Sequence, residues 1–164
     1  MLSLAPLEDA GVTAEDAKDA EIQGQMRINE VTETVIRAAM TVHTAVGAGL
    51  LERAYDACFF YELTKTGMQF DHQLRLPVKY KEIHLECGFR VDYLVEHRVL
   101  VEIKAVDRLH PVHTAQLLSY LKLTGLTVGL LINFNVPHLR DGIRRIVNGF
   151  RETDDALRPQ RPPR

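Results

Sequence analysis

The stretch RVDYLVEHRVLVEIK, residues 90–104, decides the fold. Two apolar strands read out of it, and charge interrupts both. Asp92 lies in the first; Glu102 and Lys104 lie in the second, beside Val101 and Ile103. Strand side chains alternate, so Glu102 and Lys104 share one face while Val101 and Ile103 share the other. The turn decides where Asp92 goes. A connection of Glu96, His97 and Arg98, centred on His97, sets Asp92 directly opposite Glu102, on the same face. A two-residue turn at Glu96-His97 would set it against Val101 instead. Only the first register keeps Val91 and Val101 off the charged face. The hairpin is therefore predicted to carry Asp92, Glu102 and Lys104 on one side and to hold Val91, Val101 and Ile103 to the core on the other.

Two carboxylates that close repel, and one takes up a proton unless a cation sits between them. Carboxylate oxygens suit Mg²⁺ or Mn²⁺. A hydrolytic site uses such a metal to polarise a phosphoryl oxygen and to lower the pKa of water, and Lys104 would stabilise the developing charge. The plainer reading is an ion pair of Lys104 with Glu102 and Asp92 on a solvated sheet face, where such pairs are common and weak.

Outward from the hairpin, the chain reads as α, α, β, β, β, α, β, α. Asn29 is a candidate cap for a first helix, with Val31, Val35, Ala38, Ala39, Val42 and Val46 at helical spacing. His43 among them reads as a hydrogen-bonded, partly buried histidine. The glycines of "GAG" at 47–49 stop that helix. A second follows with Leu51, Tyr55, Cys58, Phe59 and Leu63 on one side, ending at Gly67. The period then drops to two through Leu74, Leu76, Val78 and Tyr80, and Pro77 marks that strand as an edge. "HPVHTAQLLSYLKLTG" is a third helix with Gly125 at its end, and "TVGLLINFN" is a buried strand. "VPHLRDGIRRIVNGF" is expected to form a short last helix carrying Arg140, Arg144 and Arg145, which either touch phosphates or line a solvated face. The middle three strands form an antiparallel meander, and the last strand, reached through a helix, is expected to run parallel to one of them.

The chain has 164 residues, of which 46 % are hydrophobic and 26 % charged, the balance of one domain with tails. Residues 1–28 carry six acids against two bases and few large apolar residues, and are expected to be a mobile extension. Residues 29–150 form the predicted domain, and the Pro- and Arg-rich residues 151–164 read as a tail. Outside the extension, 16 acids face 18 bases, a balance compatible with a polyanion partner. No apolar run is long enough to span a bilayer. The N-terminus lacks the basic and apolar regions of a secretory signal. Cys58 and Cys87 have neither metal nor disulfide-framework spacing, so both are expected to be reduced and the protein cytoplasmic.

The spacing of Asp92 and Glu102-Ile103-Lys104, on a hairpin between helices, resembles the PD-(D/E)XK nuclease superfamily, with Val91 where the superfamily name has proline. More closely, "GLLERAY" at 49–55 resembles the signature of the GxxExxY proteins through Gly49, Glu52 and Tyr55. The likeness continues in "VHTAVGAGLLERAY", "HTAQLLSYLKLTG", "GLLINFN" and "DGIRRIVN", and covers residues 30–149. It implies an α/β fold with an αβββαβ core, a central mixed sheet flanked by helices. It implies Mg²⁺ (or Mn²⁺) held by Asp92 and Glu102, with the Ile103 carbonyl and Glu52 as further ligands, and Lys104 as the catalytic lysine. Gln116 matches a glutamine that RecB-type branches carry on the helix after the lysine strand. Two features of the residues agree. Glu52, Tyr55 and Phe59 fall on one helix face, and so do His113, Gln116 and Tyr120.

The function that this resemblance implies is metal-dependent hydrolysis of phosphodiester bonds in nucleic acid, with a 5′-phosphate product and DNA as the expected substrate. Gln116, Tyr120, His113 and Arg144 would contact the substrate. No helix-turn-helix or zinc finger is visible, so specificity would come from a protein partner, homo-oligomerisation or substrate structure. The rivals are a non-catalytic nuclease-like module that binds nucleic acid or protein, and a domain whose acidic cluster is only an ion-pair network.

Overall fold

The structure is a computed structural model that describes residues 14–149, without the side chains of residues 14–26, 86 and 87. The expectations for residues 1–13 and for the tail from 151 onward lie outside the described residues. The elements run α1 (Ala14–Val46), α2 (Glu52–Lys65), β1 (Phe70–Tyr80), β2 (Ile83–Val95), β3 (Val99–Lys104), α3 (Pro111–Thr124), β4 (Val128–Asn133), α4 (Leu139–Gly142) and β5 (Ile143–Val147). One sheet takes the strands in chain order. β3 and β4 are parallel, joined through α3, and every other neighbouring pair is antiparallel. The αβββαβ core and mixed sheet expected from the sequence are present. Among the described residues, no helix is long and apolar enough to cross a membrane.

Helices cover both faces. On one side, Val35, Ala39 and Val42 of α1 and Tyr55, Phe59 and Leu63 of α2 pack on Tyr93, Val101, Ile103, Leu130 and Ile132. On the other, Leu117, Tyr120 and Leu121 of α3 pack on Leu76, Val91, Leu100 and Leu131. The parallel pair is therefore buried on both faces, which is why β4 reads as the apolar run VGLLI up to its last residue, Asn133. β1 is an edge strand, and Pro77 lies where its register with β2 shifts, between Leu76 and Val78.

Tyr55 ties the α1–α2 connection to this core. Its ring stacks on Phe134 at 4.8 Å. Its hydroxyl donates to Gly47 O at 2.6 Å and accepts from Leu50 N at 3.2 Å. Gly47 and Gly49 supply the left-handed turns, with φ of 65° and 100°. Tyr55→Phe is expected to cost about 1–2 kcal/mol, because it leaves two partly buried backbone groups without their partner. Urea unfolding measures that loss, and an unchanged midpoint would contradict it.

Three expectations are corrected. The first helix begins at Ala14, not at Asn29. Residues 14–28 are rich in Ala, Glu and Gln, all good helix formers, and carry no proline to stop them. Asn29 instead accepts from Arg145 Nη2 at 2.9 Å. The last helix shrinks to Leu139–Gly142, and Ile143–Val147 becomes β5 on the free edge of β4. Gly142 lies so close to Asn133 that a Cβ there would meet its carbonyl oxygen at 2.1 Å, and the β-branched Ile143, Ile146 and Val147 suit a strand.

The third correction concerns Val91. It packs under α3 with Leu100 and Leu117, while Val101 and Ile103 face α1 and α2. The alternation reverses at Asp92 and at Gln73 beside it, whose φ is 55°. Before this kink, His72 and Tyr93 lie on the α2 side; beyond it, Leu74 and Val91 lie on the α3 side.

Candidate active site

The β2–β3 turn is the one that centres the hairpin on His97. Glu96 and His97 take left-handed φ of 51° and 53°, and Arg98 N donates to Val95 O at 3.0 Å. The register runs Val95 with Val99, Leu94 with Leu100, and Tyr93 with Val101. One step further, the same register sets Asp92 opposite Glu102, and there the backbone ladder stops. The Ile103 N–H, which an unbroken ladder would bond to β2 backbone, donates to Asp92 Oδ2 at 2.8 Å. Asp92 N in turn donates to Glu102 Oε1 at 3.1 Å. A strand residue's N–H and C=O point to the same side, so the Ile103 carbonyl also faces this gap. Gln73 Nε2 donates to Asp92 Oδ1 at 3.2 Å, while Gln73 Oε1 is buried without a partner among the described residues.

Glu102 is only 5 % exposed, because α3 covers its face of the sheet. The expected solvated ion-pair face is thus an interior one. Burial first, and then the charge of Asp92, push the Glu102 carboxyl up to about 8; Lys104 and the Asp92 N–H pull the other way. Lys104 Nζ stands 3.8 Å from Glu102 Oε2, with 19 % of its side chain exposed. The lysine is therefore the accessible end of a mostly buried charged row.

α3 presents its polar face to this row. Gln116 Nε2 donates to Tyr120 Oη at 2.8 Å. Burial, and then the charge of Glu102, raise the Tyr120 hydroxyl. His113 is lowered, chiefly by burial and then by Lys104, against a raising pull from Glu52. Its Nδ1 accepts from His110 N at 3.1 Å, which leaves the Nε2 proton free when the ring is neutral. His113, Gln116 and Tyr120 therefore do share a face, directed at the lysine and the carboxylates.

The other sequence-predicted residues lie further out. Glu52 is exposed at the first position of α2, near enough to His113 to act on its charge. Among the described residues, no three His, Cys, Asp or Glu side chains come close enough to hold one metal ion. Arg144 is on β5, in a cross-sheet row with Leu131 and Glu102, two strands from the carboxylate. Its guanidinium donates to the carbonyls of Asp141 and Ile143. It lines a cleft of about 380 Å³ with Arg108, His110 and Asn133. His43 bonds Val136 O through Nε2 at 2.8 Å, a structural role. Cys58 is a free, partly buried thiol.

Two residues that sequence reasoning passed over shape the site. Gln73 supplies the kink that turns Asp92 toward β3. Asn133, 1 % exposed, holds the connection that follows Lys104: its Oδ1 accepts from Val106 N at 3.0 Å and its Nδ2 donates to Val106 O at 2.8 Å. The amide that ends the apolar run VGLLIN was the one sequence signal for Asn133; nothing marked Gln73.

The donor chemistry suits a hard divalent cation. Two adjoining carboxylates, one held partly protonated by the other and by burial, would both be relieved by a shared positive charge. Mg²⁺ commonly takes one or two carboxylates and keeps several waters, so a third side chain is not required. The family model described as the PD-(D/E)XK nuclease superfamily matches residues 29–146. No curated protein and no solved structure matches the chain.

Proposed function

The chain belongs to the PD-(D/E)XK nuclease superfamily, and from that premise we propose that it is a Mg²⁺-dependent nuclease that hydrolyses phosphodiester bonds in DNA. Members of this superfamily are in general phosphodiesterases that act on nucleic acid with divalent metals. The observation that carries the reading is the row of Asp92, Glu102 and Lys104 where β2 leaves β3, faced by Gln116 and Tyr120 of α3. Gly49, Glu52 and Tyr55 support a finer place within the GxxExxY group.

Asp92, Glu102 and the Ile103 carbonyl would hold the cation. Bound there, Mg²⁺ would polarise the scissile phosphate and make water a better nucleophile. Lys104, partly exposed beside Glu102, neutralises charge developing on the phosphoryl oxygens. Gln116 occupies the lone pair of the Tyr120 hydroxyl and leaves the tyrosine proton for a substrate oxygen. In-line attack by water breaks the bond from phosphorus to the 3′ oxygen and leaves a 5′-phosphate.

Cleavage of plasmid, linear and single-stranded DNA with Mg²⁺, Mn²⁺ or EDTA tests this reading. Lys104→Ala is expected to lower kcat by about 10²–10³-fold, the cost of removing one preorganised charge-stabilising donor. Asp92→Asn should lose activity with unchanged far-ultraviolet circular dichroism. Equal cleavage by wild type and variants, or no heat on calorimetric titration with Mn²⁺, would sink the assignment.

A further inference from the structure

We propose that the outer half of the β1–β2 ribbon, residues 75–90, is an arm that grips the phosphodiester backbone of a nucleic-acid duplex. The identity of this polyanion rests on the nuclease reading above. β2 has 13 residues, yet only Tyr93, Leu94 and Val95 pair with β3; the rest of the strand pairs with β1 alone. Beyond the kink at Gln73 and Asp92, the ribbon therefore leaves the body of the sheet.

Its two faces differ. On one, Arg75 is directly opposite Arg90, and Lys79 is directly opposite His84. All four are exposed, and none has an ion-pair partner among the described residues. Like charges set opposite each other destabilise a strand pair, so the free protein bears a cost that a polyanion would remove. On the other face, Leu76 pairs with Phe89, Val78 with Leu85 and Tyr80 with Ile83. Near the kink this face is seated, with the Phe89 ring 5.3 Å from Tyr120. At the tip it is open, with Tyr80 and Ile83 each 59 % exposed. The tip thus stands in solvent on both sides.

Charge and shape select the occupant. Residues 74–91 carry Arg75, Lys79, Lys81 and Arg90 against Glu82 and Glu86, in a chain whose net charge is −2. Paired guanidinium groups suit phosphate oxygens, which they can take bidentately. A two-stranded ribbon fits the major groove of a duplex. Arg90 is two residues from Asp92 on one strand, so the arm is continuous with the strand that carries that carboxylate.

The test is fluorescence anisotropy of a labelled DNA duplex with the full chain, in EDTA so that no cleavage intervenes, across a salt series. Arg75→Gln/Arg90→Gln is compared with Arg37→Gln/Lys65→Gln, which removes two cations from the α1–α2 layer. The ribbon variant is expected to bind more weakly on every duplex sequence, with a slope of log K against log salt shallower by about two, one for each lost phosphate contact. It is also expected to melt no lower than wild type, because the opposed charges are gone. The α1–α2 variant should keep the wild-type slope. An unchanged slope in the ribbon variant, an equal loss in both variants, or no duplex binding by wild type overturns the arm. Mn²⁺ titration and cleavage separate this from the catalytic reading. Duplex binding through the ribbon without Mn²⁺ binding would fail only the nuclease, and cleavage with an indifferent ribbon would fail only the arm.

Discussion

Glu102→Gln is expected to cut metal-dependent cleavage by more than about a hundredfold while raising the melting temperature of the metal-free protein near neutral pH. The activity loss follows from removing a proposed cation ligand, since even the partners that stand behind such ligands cost about 10- to 100-fold when lost. The stability gain follows from burial. Glu102 is 5 % exposed beside Asp92, and its carboxyl titrates near 8 in the folded chain against 4.5 without these neighbours. The folded state therefore holds the proton more tightly than the unfolded state. Stability from this group is complete below about pH 4.5 and is lost as pH rises through about 8. A glutamine keeps an oxygen for the Asp92 N–H and carries no charge to bury. Wild type and variant should thus melt together at acid pH and separate as pH rises. Mg²⁺ should restore wild type alone. Melting curves at several pH values, with and without Mg²⁺, read this out. A variant that melts below wild type at pH 8 would contradict the buried-charge account.

Phe59→Ala is expected to destabilise the chain by about 3–5 kcal/mol, the usual range for a fully buried phenylalanine. Phe59 has no exposed surface. Its ring meets Tyr93 edge-on at 5.0 Å and Phe134 at 6.4 Å, so it joins α2 to both β2 and the end of β4. Truncation opens a cavity beneath the hairpin that carries Asp92. Against a total stability of about 5–15 kcal/mol, the loss is a large fraction. For a domain of this size it corresponds to about 10 °C or more in melting temperature. Urea denaturation gives the free energy directly, and a cost below about 1 kcal/mol would mean that the site can collapse around the gap.

The two variants separate what Glu102 and Phe59 do. One residue lowers stability near neutral pH so that two carboxylates can adjoin; the other fills the core that holds them there. Such a trade is common where a site needs charge in the interior. It also explains why the hairpin reads as two strands interrupted by charge.

Alternation and turn length put Glu102, Lys104 and Asp92 at one place on the hairpin, because strand periodicity and a three-residue connection are local properties. Helical spacing likewise put His113, Gln116 and Tyr120 on one face. The misreadings came where contacts distant in sequence overrode local pattern. IRRIV suited a helix or a strand, and the free edge of β4 made it β5. Glu52 fell on the same stripe as Tyr55 and Phe59, yet at the first turn of α2 it faces solvent rather than the core.

The sequence by itself determined the order of elements as far as β4, the register of the central hairpin and the residues that carry its charge, since each depends on neighbours within a few positions. Only the tertiary structure decided that α3 buries Glu102, that Gln73 in a left-handed conformation reverses the faces at Asp92, and that β2 leaves β3 at that residue. Those features arise from packing between segments far apart in the chain, which fixes how far each charge is removed from water and hence what it can do.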